Sequence, residues 1–271
     1  MEDKNVEAES LQVKQLGLPK TVQSANTIFH FMEKSEFLKS KLQECALIPR
    51  YNEEKLGYLK IDMQQIVYPM ICFCDIRLNK IEQHTINYGS YAIAFSKEWG
   101  LNHNIQPIHY INTNSAIIDD FRQAYNSALN IDINNIYVNN LENYLFSHLL
   151  YMKPLNEYFK GTSEKNTHSF QDECEWRYVP KLDNAQTELQ LIYTNISDKT
   201  TRDEFSEALS SVKECYLLFK YSDIKYLIVP SENEKNEFIE YILSDKILAS
   251  EKDKLQLISK ILVLTNLKED A

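Results

Sequence analysis

The run Ile66–Asp75, IVYPMICFCD, constrains the fold more than any other stretch of this chain. It is the most apolar segment and is rich in β-branched and aromatic residues, yet it is far shorter than the roughly 20 residues that a membrane-spanning helix needs. A strand that is apolar along its whole length needs cover on both faces, so the run predicts a buried strand. Further strands are expected at Asn26–Phe31 (NTIFHF), Leu47–Arg50 with its end at Pro49, Tyr91–Phe95 (YAIAF), Pro107–Ile111, Glu175–Val179, Tyr216–Phe219 and Lys225–Pro230.

Helical spacing fills the intervals. Phe37, Leu38 and Leu42 predict a helix over Ser35–Cys45 with Ser35 as N-cap. Leu78–Asn87 leads to Tyr88-Gly89, and Ser96 should cap a short turn that holds Trp99. Ser115–Met152 predicts two or three helices, and Arg202–Glu214, Glu232–Leu243 and Asp253–Leu267 one each. Thr187–Ile192 reads as either strand or helix. Residues 1–25 are polar and read as a short helix or a flexible arm. The remainder, 26–271, reads as a single α+β domain with a helical insertion around 115–160.

Composition excludes several classes. The net charge of −10 argues against a surface broadly committed to nucleic acid, though it allows a local basic groove. Only 5 glycines are present, too scattered for G-x-G-x-x-G, a P-loop or G-x-S-x-G. The 5 cysteines include no C-x-x-C pair, and the 6 histidines show no H-x-x-x-H spacing, so neither disulfides nor a metal is expected. Cys72 and Cys74 alternate within the apolar run and are expected to face the core. With an acidic, polar N-terminus and no long apolar run, the expectation is a cytoplasmic protein without membrane contact.

Two features point to chemistry. In DECEWRY, Glu173 and Glu175 lie two apart at the head of an expected strand. Strand periodicity puts both carboxylates on one face, roughly 6–7 Å apart. Like charges this close call for a cation. Arg177, two residues on, offers a plain surface ion pair with Glu175; the alternative is a site where a carboxylate meets a cationic intermediate or a sugar hydroxyl. His30 points to the opposite face from Phe29 and Phe31, either as a half-exposed strand histidine or as a hydrogen-bonding group on the floor of a cleft.

The segments TIFHFMEKSEFLKSKLQECALIPRY, MICFCDIRL, HTINYGSYAIAFSKEWG, QPIHYI, DECEWRYVP and DIKYLIVP together resemble the AbiGi family of abortive phage-infection proteins, over roughly Asn26–Leu243. The resemblance implies a role in phage defence. Members carry the label of antitoxins, which implies a cognate toxin, antitoxin or chaperone from the same operon as partner.

A more remote resemblance is to the ADP-ribosyltransferases of the DarT-like and poly-ADP-ribose-polymerase-like groups. In order, the chain offers a strand with His30, a helix, a short strand, CFCD, a helix ending at Tyr88, and Glu173-x-Glu175. This implies an ADP-ribosyltransferase-like split mixed β-sheet core with helical insertions, and NAD as substrate. His30 would hold a ribose hydroxyl, Tyr88 would stack on nicotinamide and Arg50 would meet the diphosphate. Glu175 would steady the transition state, and Glu173 would orient or deprotonate an RNA, DNA or protein acceptor. The sequence departs from that pattern in the long insertion between Ile111 and Gln171 and in the Trp176-Arg177 that follows Glu175. The competing reading is a non-catalytic antitoxin or sensor that neutralises a toxin by contact.

Overall fold

The computed structural model describes residues 24–129, 136–157, 168–183, 185–196 and 198–269. All but the last two residues of the expected N-terminal arm lie outside them. The apolar run forms the strand Gln65–Cys74, the hub of an eight-stranded mixed sheet. Its first half pairs antiparallel with Arg50–Lys55, and its second half pairs antiparallel with Glu175–Tyr178. The His30 strand, Thr27–Met32, meets the hub at one residue pair, Phe29 with Cys74, while its other edge runs in full register against Tyr91–Ser96. The sheet is therefore split between the His30 strand and the hub. Beyond Tyr91–Ser96 come Ile224–Val229 and, parallel to it, Ile261–Val263.

Period-two alternation assigns the two faces. Ile28, Ile93 and Phe95 pack with Phe73, Trp99 and Phe238 on one side. Phe29, Ala92 and Ala94 pack with Ile228 and Leu264 on the other. Helices Ala116–Leu129 and Ile136–Leu149 place Phe121, Tyr125, Leu145 and Leu149 against Tyr68 and Ile66, in a third cluster beside the sheet.

Four local expectations are corrected. Lys34, not Ser35, is the N-cap of the helix Ser35–Glu44, and the Ser35 hydroxyl turns to Glu36 instead. Residues 187–192 form neither strand nor helix. Leu47–Arg50 is not one strand: Pro49 separates Ala46–Leu47 from Arg50–Lys55. The expected helix Asp253–Leu267 breaks into a helix Glu251–Ser259, the strand Ile261–Val263 and a helix Leu264–Glu269. The adjacent Leu227–Val229 offers an open strand edge to Ile261-Leu262-Val263, which outweighs weak helical periodicity. Ser96 does cap its helix, accepting from the Trp99 N–H at 3.1 Å, and Trp99 stacks on Phe95 with ring centroids 4.0 Å apart.

Gly89 ends the helix Ile81–Tyr88 and so sets where Tyr88 stands. Its φ is +96°, and a Cβ there would lie 2.3 Å from the Met32 carbonyl oxygen. Gly89→Ala is expected to cost more than about 1 kcal/mol. Gly57→Ala, where the nearest atom would be 3.5 Å from the new Cβ, should stay within about 1 kcal/mol of the parent. Urea denaturation of both variants checks this; equal midpoints would contradict it.

Candidate functional site

The strand Glu175–Tyr178 lays Glu175 opposite Cys74 and Arg177 opposite Cys72, all on one face of the sheet. Arg177 is wholly buried. Its Nη2 lies 2.7 Å from Glu175 Oε1 and 2.9 Å from Glu54 Oε1. Its Nη1 donates to the Leu150 carbonyl at 2.7 Å and to the Tyr68 hydroxyl. A charge this deep persists because its fork is fully matched.

Glu173 does not lie on the strand. It ends a 3-10 turn, Phe170–Glu173, and Cys174 follows in the left-handed region at φ 44°. That kink, rather than strand periodicity, aims both carboxylates at a common cation. The cation is Lys153, from the short strand Met152–Pro154 in the insertion. Its Nζ lies 3.0 Å from Glu173 Oε2 and 2.8 Å from Glu175 Oε2. Burial pushes the Glu175 carboxyl up, but Arg177 and Lys153 outweigh it and hold it at about 2. Burial likewise opposes the Lys153 charge, yet Glu175, Glu54 and Glu173 keep it ionised. Burial pushes the Glu54 carboxyl up against the pull of Arg177.

Lys153, Glu173 and Glu175 edge a pocket of about 150 Å³ in the split of the sheet. Phe29, Phe31, Phe73 and His84 give it aromatic walls, and His30, Cys72 and Tyr88 also line it. His30 Nδ1 donates to the Cys72 carbonyl at 2.9 Å, bridging the split. Burial, reinforced by the charge of Lys41, holds the imidazole at about 3. The ring is thus neutral, with Nε2 an acceptor. The Tyr88 hydroxyl donates to Glu173 Oε1. One turn earlier, His84 Nε2 lies 3.3 Å from the Glu173 carbonyl. The Tyr110 hydroxyl accepts from the Glu175 N–H at 2.7 Å.

Four of the five expected site residues, His30, Tyr88, Glu173 and Glu175, therefore line one pocket. Arg50 does not: it is exposed on its strand and pairs with Asp203 at 2.9 Å. Its guanidinium turns to this surface counterion and does not line the pocket. The cation that acts on His30 is Lys41, whose own pKa is lowered to about 8, by burial first and then by Arg50. Cys72 was expected in the core but opens into the pocket. Glu175 pairs with Arg177, the first of its two alternatives, but in a buried rather than a surface bridge; it lines the pocket as well, yet not free of Arg177 as the catalytic alternative required. Sequence reasoning missed Lys153, Glu54 and His84. Lys153 had a signal, a single charge inside the apolar LLYMKPL, and His84 had another, its spacing of four before Tyr88 on one helix.

Three outcomes follow. Arg177→Met strands Glu175 and Glu54 without their cation and should cost about 3–5 kcal/mol in urea denaturation. Arg50→Ala breaks an exposed pair and should cost less than about 1 kcal/mol; losses of similar size would contradict the assignment. Stability should also fall on acidification. Between about 6.5 and about 3 the unfolded chain protonates His30 while the native chain does not. The Glu175 contribution, complete above the usual carboxylate range, is lost towards about 2. Each proton gives a slope of up to about 1.4 kcal/mol per pH unit. His30→Gln should flatten the curve between about pH 5 and 6.5, where His30 titrates only in the unfolded chain; an unchanged slope there would contradict the buried neutral histidine.

Among the described residues, no group of three or more His, Cys, Asp or Glu side chains is placed to hold a metal ion, and no helix is long and apolar enough to cross a membrane. No solved structure matches the chain. A family model described as putative abortive phage resistance protein AbiGi, antitoxin, matches residues 36–230. An abortive phage resistance protein AbiGi of Lactococcus lactis subsp. cremoris is 33% identical over 251 residues, which cover 83% of this chain and 99% of the relative. The family match spans the hub and the DECEWRY segment, and the chain belongs to the AbiGi family of abortive phage resistance proteins.

Proposed function

We propose that the pocket receives the nicotinamide end of NAD, and that the chain transfers ADP-ribose from NAD to RNA, DNA or protein as part of phage defence. One observation carries this reading: His30, Tyr88 and Glu175 come from three distant segments and line one small pocket in the split of a mixed sheet. That is the arrangement that the ADP-ribosyltransferase resemblance implies. The charge balance agrees with it. Glu54, Glu173 and Glu175 face two cations, Lys153 and Arg177, which leaves one negative charge for a proton or a cationic ligand. The nicotinamide ring of NAD is a planar cation, and aromatic walls beside carboxylates suit such a ring.

In the proposed reaction the bond from the ribose C1′ to the nicotinamide nitrogen breaks, and its electron pair leaves with neutral nicotinamide. The positive charge passes to the ribosyl oxocarbenium, beside Glu175. His30 Nε2 accepts from a ribose hydroxyl. An acceptor oxygen or nitrogen forms the new bond to C1′, and its proton passes to Glu173. Lys41 takes the part in anchoring the diphosphate that was expected of Arg50.

A second reading, a non-catalytic module that restrains a toxin by contact, is favoured by the antitoxin description of the family. Its partner would be a toxin from the same operon. The two are separated by measuring nicotinamide release from NAD by the purified chain, with nucleic acid or protein extract as acceptor. Release is expected, with Glu175→Gln slower by about 10²–10³. Tyr88→Ala, at a residue 39% exposed, should also slow it without lowering the melting temperature. NAD at about 100 times its dissociation constant should add about 2.7 kcal/mol of stability. No release, no stabilisation by NAD, and rescue of cells from a co-encoded toxin would favour the second reading.

A further inference from the structure

The pocket in the split already holds a cation of its own. The Lys153 ammonium lies 3.0 Å from Glu173 Oε2 and 2.8 Å from Glu175 Oε2, where an entering cation would meet both carboxylates. Its side chain is only 14% exposed. The space that remains is about 150 Å³, smaller than the roughly 300–1,000 Å³ of small-molecule sites. A pocket that suits a cation is closed to one while another of like charge stands in it.

Two observations set this contact apart from a structural brace. The first is that both carboxylates are matched without Lys153. Glu175 meets Arg177 at 2.7 Å through Oε1, and Glu173 accepts from the Tyr88 hydroxyl through its own Oε1. Each carboxylate thus turns one oxygen to the fold and the other to Lys153. The second is that Lys153 has another place to stand. It also lines a neighbouring open cavity of about 630 Å³, together with Glu54 and Phe170. Its Nζ already lies 4.9 Å from the centre of the Phe170 ring, and Glu54 is among the carboxylates that keep it ionised. A turn of its flexible stem towards that cavity exchanges the carboxylate pair for Glu54 and keeps the ammonium beside a negative charge. The strand that carries it, Met152–Pro154, pairs with His109–Ile111 in a two-stranded sheet apart from the main one.

We infer that Lys153 is a built-in plug that regulates the pocket: its ammonium holds the position of a cationic ligand, and the ligand enters by displacing it towards Glu54 and Phe170. This rests on the reading that the pocket takes a planar cation, and adds that the resting chain resists one. Displacement removes a side chain that borders both cavities, which widens the small pocket. The apparent affinity is the intrinsic affinity reduced by the open fraction, so the plug holds the resting chain in check.

Isothermal titration calorimetry of the full chain with 1-methylnicotinamide, a planar cation, and with neutral nicotinamide tests this. Lys153→Gln keeps a donor for the carboxylates but carries no charge, and Lys153→Arg keeps the charge. Lys153→Gln is expected to bind the cation at least about 10-fold more tightly than the parent, as for a pocket open in no more than about a tenth of the molecules. The gain for neutral nicotinamide should be much smaller, and Lys153→Arg should bind the cation as weakly as the parent. Lys153→Met repeats the measurement with no donor at all. An equal gain for both ligands would show that the lysine only takes up room, and an unchanged or weaker affinity for the cation would show that nothing is displaced; either overturns the inference. Failure of both Lys153→Gln and Lys153→Met to fold overturns it too, since the contact is then a brace. Nicotinamide release from NAD by the same preparations keeps the two proposals apart. Release without a gain in cation binding removes the plug alone. A gain without release leaves the plug standing and removes the transfer of ADP-ribose.

Discussion

Everything at the site depends on one buried cation. Arg177 is wholly buried, with no contact to water, where an unmatched charge would cost several kcal/mol. Its guanidinium is matched by Glu175, by Glu54, by Tyr68 and by the Leu150 carbonyl. Those partners come from four parts of the chain: the DECEWRY strand, the strand Arg50–Lys55, the hub, and the end of the helical insertion. Arg177 thus fixes the hub's two antiparallel neighbours and the insertion relative to one another. Through Glu175 it also fixes Lys153, and through Lys153 it fixes Glu173 and Tyr88.

The pocket arises where the sheet fails to close. The His30 strand touches the hub at a single pair, so the backbone groups beyond it need other partners. The His30 ring supplies one by donating to the Cys72 carbonyl. Two residues at positive φ complete the rim: Gly89 ends the Tyr88 helix against Met32, and left-handed Cys174 turns Glu173 inward. Regular structure alone would have produced a continuous sheet with its carboxylates spread along one strand.

The sheet was legible in the sequence because its strands are short apolar runs with clear alternation, as at Ile66–Cys74 and Tyr91–Phe95. Two strands were not: Arg50–Lys55 is polar and shows no apolar run, and Ile261–Val263 is three residues long and takes its conformation from the neighbouring edge at Leu227–Val229. At the site, the convergence of His30, Tyr88, Glu173 and Glu175 was legible from their order within a family pattern, not from local spacing. The placement of Arg50 was misread because nothing local says which way a strand residue turns at a sheet edge, and Asp203, 153 residues away, decides it. Lys153 was missed because a lone lysine gives no periodic signal; only the fold reveals the two glutamates that need it.

The matching of Arg177 has a further consequence in time. Glu54 is made 123 residues before the guanidinium that neutralises it, and Tyr68 is made 109 residues before. During synthesis the hub and its first neighbour emerge with their polar groups facing an absent partner, so that half of the sheet cannot settle until Arg177 has left the ribosome. A fold assembled through such distant pairings forms slowly. His30 is among the first site residues to be translated, but the pocket that it lines is completed only when the DECEWRY strand arrives.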